Sequence, residues 1–320
     1  MAAPTLSVGP VATPRRRTEI HPLRHLDVAL VLTPIAITGL GLLMIYSSTR
    51  TRLEGQDLST LYYVQRQGIA FLLGMIGMVV AMAVDYRRIR DLYPIVYLAT
   101  LPLLVGVLAL GASRKGAQAW FQVGPLQFQP SEIAKIGVIV AVAGYCHHHR
   151  GDLDAWRVAV VLALAAIPIG LVLLQNDLGS AMIMSIAVAT ILVVAGIRGV
   201  HLVVLALIAV TALGAAVSTG YFDGYRTDRL LSFARQSSGE VTPESSPAEY
   251  SLGQSKAAIG SGGVTGAGLF NGTQTRLSNV PEQHTDFIFS VVGEELGFAG
   301  GATLLALYAL FLWRCYRIAL

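Results

Sequence analysis

The sequence predicts an all-α, polytopic transmembrane helix bundle, and three observations carry that prediction. Only 13% of its 320 residues are charged while 54% are apolar, and a soluble domain carries about a quarter charged residues. Eight apolar runs stand out, and most approach the roughly 20 residues that cross a hydrocarbon core as helix. Within them the apolar residues are continuous and lack the alternation of a lipid-facing strand, so helices and not a barrel are expected.

In chain order the expected spans are 27–47, 68–84, 92–111, 133–145, 156–174, 181–197, 201–219 and 287–313. The fourth is short and carries Lys135, which makes its ends the least defined by composition. Ahead of the first lies 1–24, a Pro-, Ala- and Thr-containing segment with Arg15, Arg16 and Arg17, expected to be a disordered cytoplasmic tail. It has no apolar core of the signal-peptide kind before those arginines. Residues 25–320 then form one transmembrane domain.

Charge sets the orientation, because Lys and Arg collect in cytoplasmic loops. With the N-terminus inside, the even-numbered connections also face the cytoplasm: Tyr86-Arg87-Arg88-Ile89-Arg90, the 147–150 turn, Ile197-Arg198-Gly199, and the end with Arg314 and Arg317. All are short and basic. Cys146 and Cys315 fall near that face and are expected as free thiols.

Two outward segments depart from the lipid pattern. One is 112–132. The other is 220–285, far beyond the length at which a loop is ordinarily a plain connection. Its stretch 236–247 has disordered composition, whereas 250–285 is expected to be ordered and packed against the bundle. Gly260-Ser-Gly-Gly-Val-Thr-Gly-Ala-Gly268 never satisfies the dinucleotide spacing and follows no strand. It reads either as a flexible or tightly packed glycine turn or as backbone N–H groups turned toward an anion. No nucleic-acid module and no internal repeat is visible.

Ionisable residues at membrane depth are functional hypotheses by default, and here they gather on the outward half. Glu132 and Lys135 stand at i and i+3 and are expected to pair on one helix face. Asp177, in Gln175-Asn176-Asp177-Leu178-Gly179-Ser180, fits an N-cap of the sixth span, with shaping of the site as the alternative. Of Glu294 and Glu295 at least one faces the bundle interior with a buried partner. The densest signal is Pro281-Glu282-Gln283-His284-Thr285-Asp286-Phe287-Ile288-Phe289. It places Asp286 half-desolvated at a helix mouth, beside His284 and Glu282, facing a second polar loop that holds Lys115 and Trp120. Capping of the last span is the alternative role for Asp286. Outward cations, among them Arg114, Lys115, Arg226, Arg229, Arg235, Lys256 and Arg276, run against the positive-inside bias and suit an anionic, phosphate-bearing ligand. Trp120 is either an interfacial belt residue or a platform on which a sugar stacks.

These blocks resemble the SEDS (shape, elongation, division, sporulation) family. The resemblance is carried by Gly116-Ala-Gln-Ala-Trp120, Phe128-Gln-Pro-Ser-Glu-Ile-Ala-Lys135, Gln175-Asn-Asp-Leu-Gly-Ser180, Gln254-Ser with Gly260-Ser-Gly-Gly, Gly272-Thr-Gln-Thr-Arg276, Pro281 to Phe289, and Gly293-Glu-Glu-Leu-Gly297. It covers about 25–320 and looks most like the elongation branch. It implies a ten-helix bundle, of which this chain would hold eight. It also implies polymerisation of lipid II into glycan strands, with undecaprenyl pyrophosphate leaving, and work beside a class B penicillin-binding transpeptidase. The family's essential carboxylate falls on Asp286 and its tryptophan on Trp120. Asn176 stands where the family usually has proline.

On this resemblance Asp286 is the general base toward the acceptor hydroxyl, with Trp120, Lys115, Lys256, Arg276, His284, Gln283 and Glu282 on the substrate. Glu132, Lys135, Asp177, Glu294 and Glu295 shape the site. A divalent cation such as Mg or Mn is possible, held partly by substrate phosphates because no side-chain spacing defines a cage. The rival classes are a flippase for a lipid-linked precursor, which would place ionisable residues through the midplane, and a non-catalytic scaffold for the transpeptidase.

Overall fold

The computed structural model describes residues 27–114, 117–123, 126–201, 203 and 247–320. The tail 1–24, Lys115, most of the expected span 201–219 and the first half of the long loop, with Arg226, Arg229 and Arg235, lie outside the described residues.

The chain is mainly helical. Helices α1 (Val28–Glu54), α2 (Tyr62–Ala83), a short α3 (Tyr86–Asp91) and α4 (Tyr93–Leu110) come first. Three short strands follow, β1 (Ala112–Arg114), β2 (Ala117–Val123) and β3 (Leu126–Phe128), then α5 (Pro130–His148), α6 (Ala155–Leu174) and α7 (Leu178–Val194). After the undescribed stretch come α8 (Pro247–Ser261), a single turn α9 (Thr273–Arg276) and α10 (Ile288–Ala319). Five of these helices, α1, α2, α4, α6 and α10, are long and apolar enough to cross a membrane, and α7 is a shorter apolar helix. Their outward faces are densely apolar. Residues such as Leu72, Ile76 and Val80 on α2 are exposed, as a lipid solvent permits and water does not.

Two expectations need correcting. The first span does not stop at 47: α1 runs on to Glu54 through Ser47, Ser48, Thr49 and Arg50. The hydroxyls of Ser48 and Thr49 donate back to the Ile45 carbonyl, at 3.1 and 2.7 Å, so these polar residues sit within the helix without competing for its ladder. The 112–132 loop adds sheet to a bundle expected to be wholly helical. Its strands form an antiparallel meander in the order β1-β2-β3, with Ala112 opposite Trp120 and Phe121 opposite Phe128.

Small residues bring the helices together, since van der Waals contact is the main driving force between helices in lipid. A Cβ at Gly137 would stand 2.5 Å from Thr100 Cγ2, and one at Gly144 would stand 2.9 Å from the Tyr93 ring. Those pairs make α4 and α5 antiparallel and in close contact. The Tyr97 hydroxyl donates to Leu164 O at 2.8 Å, and Gln175 Nε2 donates to Leu104 O at 3.2 Å, so α6 runs parallel to α4. Around them lies one core, with Leu104, Val138, Val142, Val161, Val172, Met184 and Leu192. A second core joins α1 to α10 through Met44, Val291 and Val292. Asp27 pairs with Arg314 at 3.3 Å and Ser47 bonds Glu295, so these two helices are antiparallel. The two pairings lie about 30 Å apart along α1 at 1.5 Å per residue, the thickness of a hydrocarbon core.

α10 is broken at Gly297, whose φ of +65° and ψ of −162° interrupt the helix. The glycine run 262–268 fills the break. Ala267 N and Gly268 N donate to the carbonyls of Glu294 and Glu295, at 2.9 and 3.0 Å, while Phe298 N and Ala299 N donate to Gly263 O and Val264 O, at 2.9 and 3.0 Å. A Cβ at Gly262 would lie 1.9 Å from Gly293 O. Of the two readings of this run, the tightly packed turn is the one observed; the N–H groups of Ala267 and Gly268 meet carbonyls of α10. Irregular backbone at membrane depth is tolerated where protein re-satisfies it in this way.

Candidate active site

The polar run that precedes α10 folds as a tight turn over 281–287. Glu282 takes φ +52°, and its carbonyl accepts from Thr285 N at 3.1 Å and Phe287 N at 3.3 Å. Side chains sort by position. Gln283 is buried, His284 is half-buried with its ring 4.7 Å from that of Tyr63 on α2, and Glu282, Thr285 and Asp286 are exposed. The N-cap of α10 is Phe287, with no side-chain cap bond. Asp286 therefore does not cap the helix. It is also exposed and not half-desolvated within the protein, because the chain turns inward only at Phe287. Among the described residues Asp286 makes no hydrogen bond and no ion pair.

Beneath this turn lie Glu294 and Glu295, each about 1% exposed or less. Both are held by neutral donors. Glu294 accepts from Gln274 N at 2.7 Å, Thr275 N at 2.9 Å and the Thr275 hydroxyl at 2.7 Å. Glu295 accepts from the Ser47 hydroxyl and from Phe270 N at 3.1 Å. Gly272 makes this possible, since a Cβ there would stand 2.9 Å from the Glu294 carboxyl. Phe270 itself takes φ +66°, an outlier for an aromatic residue. It is clamped from the other side by Arg50, whose guanidinium donates to its carbonyl at 3.3 Å and lies 4.8 Å from its ring. A buried carboxylate is tolerable only when its oxygens are satisfied, and here backbone N–H groups do most of that.

Gln283 was expected on the substrate, yet its side-chain amide points inward. Nε2 donates to Ser48 O at 2.8 Å and to Thr275 O at 2.9 Å. Arg276 on α9 and Lys256 on α8 are both exposed.

A second polar group lies where α4 gives way to the sheet and α5 begins. Trp120 is half-buried on β2, which packs on α4 and α5. Gln118 N donates to Gln175 O at 3.2 Å, tying the sheet to the α6–α7 turn. Lys135 and Glu132 pair at 2.7 Å. Asp177 caps α7 through Ser180 N at 3.0 Å and accepts from Gln129 Nε2 at 2.8 Å. Asn176 takes φ +62°, which proline cannot adopt, so this turn is built on a left-handed residue. No hydrogen bond, ion pair or ring contact among the described residues links Trp120 to the 281–287 turn. Among the described residues no three His, Cys, Asp or Glu converge as a metal site.

Several participants escaped the sequence reading. Ser47 and Ser48 stand in the sequence only as the polar end of the first apolar run. The inward role of Gln283 and the clamp on Phe270 depend on tertiary pairing that spacing does not encode.

Fold and site together define a multi-pass, mainly helical membrane protein with polar clusters at the ends of its helices. Residues 28–320 match the family model described as Cell cycle protein, FTSW_RODA_SPOVE. The chain belongs to that family. It is similar to peptidoglycan glycosyltransferase MrdB of Escherichia coli K12, 35% identical over 92% of this chain and 76% of that protein. It is also similar to the probable peptidoglycan glycosyltransferase FtsW of Geobacter sulfurreducens, 31% identical over 94% and 79%. Among solved structures it resembles Thermus thermophilus rod shape determining protein RodA, with 30% identity, TM-score 0.63, and 92% of this chain and 75% of that one covered. A chain from a study of polymerization and crosslinking by a peptidoglycan synthase complex matches with 30% identity and TM-score 0.72, over 92% and 78%.

Proposed function

We propose that this chain is a peptidoglycan glycosyltransferase of the bacterial inner membrane that polymerises lipid II into glycan strands during wall elongation. The observation that carries the reading is Asp286: an exposed carboxylate on a braced turn at a helix mouth, with no capping role and no partner among the described residues. The reaction forms a glycosidic bond between an acceptor hydroxyl and the donor's anomeric carbon. It breaks the bond from that carbon to the pyrophosphate, which leaves on its undecaprenyl chain. Asp286 takes the hydroxyl proton, a role worth about 10²–10⁴-fold. Exposed Lys256 and Arg276, with Lys115, neutralise the departing pyrophosphate. Trp120 offers a face to a sugar. A divalent cation such as Mg or Mn, held partly by the substrate phosphates, would add to that neutralisation.

In this reading the N-terminus is cytoplasmic and the site extracytoplasmic, supported by the short basic connections on the opposite side. The partner is a class B penicillin-binding transpeptidase, supported by the resemblance to a chain from a peptidoglycan synthase complex. Purified protein in detergent with lipid II as sole substrate tests the proposal. Polymer is expected, and Asp286→Asn is expected to abolish it with the fold intact. Translocated lipid without polymer would mark a flippase, and no turnover a scaffold.

A further inference from the structure

Six groups close a ring directly under the turn that carries Asp286. Glu294 holds α9 through Gln274 N, Thr275 N and the Thr275 hydroxyl, at 2.7, 2.9 and 2.7 Å. The Thr275 carbonyl accepts from Gln283 Nε2 at 2.9 Å, and the second proton of that amide goes to Ser48 O at 2.8 Å. Ser47, the neighbour of Ser48, closes the ring by donating to Glu295, the neighbour of Glu294. Every side chain in the ring is buried: Ser47, Thr275, Gln283, Glu294 and Glu295 are all 5% exposed or less. Gln283 is the one polar side chain of 281–287 that is buried, and it lies three residues from Asp286.

We infer that Gln283 and Thr275 are positioning residues for Asp286, with Glu294 as the anchor that fixes Thr275; this rests on the reading of Asp286 as the base. The amide of Gln283 ties the catalytic turn at once to α1 and to α9, and so fixes where the Asp286 carboxylate stands relative to the bundle. Its removal leaves little unsatisfied. The Thr275 carbonyl also accepts from Ser278 N at 3.2 Å, and that of Ser48 remains within α1. The loss therefore falls on placement more than on folding.

The test uses the full chain in detergent with lipid II, comparing wild type, Gln283→Met, Thr275→Val and Thr275→Ser. Displacement of a reacting group by about 1 Å can cost on the order of 10²-fold. Gln283→Met and Thr275→Val are accordingly expected to lower kcat by about 10–100-fold with little change in KM. Thr275→Ser, which keeps the hydroxyl, is expected to stay near wild type. Hydrogen exchange of the 281–287 peptide is expected to accelerate in the two impaired variants while peptides of α5 and α6 stay unchanged. Wild-type kcat in both Gln283→Met and Thr275→Val, or unchanged exchange at 281–287, overturns the inference. Should Gln283→Met not fold, the Thr275 pair decides. An active Asp286→Asn would instead sink the catalytic reading, and the exchange result would still report whether the ring holds the turn.

Discussion

Replacing Gly297 by alanine attacks the break in α10 at its least forgiving point. The backbone there has φ +65° and ψ −162°, a region essentially restricted to glycine, and strain of about 1–3 kcal/mol follows for any other residue. The added Cβ would lie 2.3 Å from Gly266 N and 2.7 Å from the carbonyl carbon and oxygen of Val264. These are backbone atoms, so no rotamer change relieves the clash. The glycine run must withdraw, taking the hydrogen bonds of Ala267, Gly268, Phe298 and Ala299 with it. At about 1 kcal/mol each, the four bonds and the strain together reach roughly 5 kcal/mol. Thermal unfolding in detergent reads this directly, and a midpoint lower by about 10 °C or more is expected. Gly170→Ala is the control: nothing lies within 4 Å of its Cβ position, and in a helix interior the change should stabilise by about 0.5–1 kcal/mol. A Gly297→Ala protein that unfolds together with wild type would refute the account of the break.

Gly137→Ala should lower stability as well, since Thr100 Cγ2 lies 2.5 Å from the new methyl; about 1–3 kcal/mol is expected, read as a lower unfolding midpoint, and pairing it with Thr100→Ser should recover most of the loss. Asp177→Ala removes both the cap on Ser180 N and the bond from Gln129, for about 1–2 kcal/mol. Asp177→Asn keeps a capping oxygen and should unfold near wild type; equal losses in the two would show that the cap is not what Asp177 contributes. Glu132→Gln should change the midpoint little, because its partner ion pair with Lys135 is largely exposed on the Glu132 side.

Much of this architecture was legible beforehand because a lipid solvent leaves little choice: runs of apolar residues must be helices that satisfy their own backbone. The Glu132–Lys135 pair and the Asp177 cap were legible too, since both follow from helix periodicity over three residues. The sheet at 112–128 was not. Its strands are three to seven residues long and their pairing is settled by contact with α4 and α5, which a linear pattern does not contain. The long reach of α1 was hidden by the same logic, because Ser48 and Thr49 look like an end until their hydroxyls are seen bonding back into the helix. Gln283 shows the sharpest limit. In sequence it stands among exposed polar neighbours, and only the carbonyls of Ser48 and Thr275, remote or local in chain terms, turn it inward.

The same two residues of α10 hold the 267–275 segment twice over, and that separates their roles. The break at Gly297 leaves the Glu294 and Glu295 carbonyls free to accept from Ala267 and Gly268, while their side chains take Phe270, Gln274 and Thr275. Neutralising the two carboxylates should not be equivalent. In Glu295→Gln the new amide can donate to Ser47, whose hydroxyl reverses from donor to acceptor, and the remaining oxygen keeps Phe270 N. In Glu294→Gln no such reversal is available, because both oxygens face backbone N–H groups: Oε1 meets Gln274 N, and Oε2 meets Thr275 N as well as the hydroxyl. One buried donor then opposes another, at about 1–3 kcal/mol. Glu294→Gln should therefore unfold well below Glu295→Gln in the same detergent, and the reverse order would mean that the hydrogen-bond assignment around α9 is wrong.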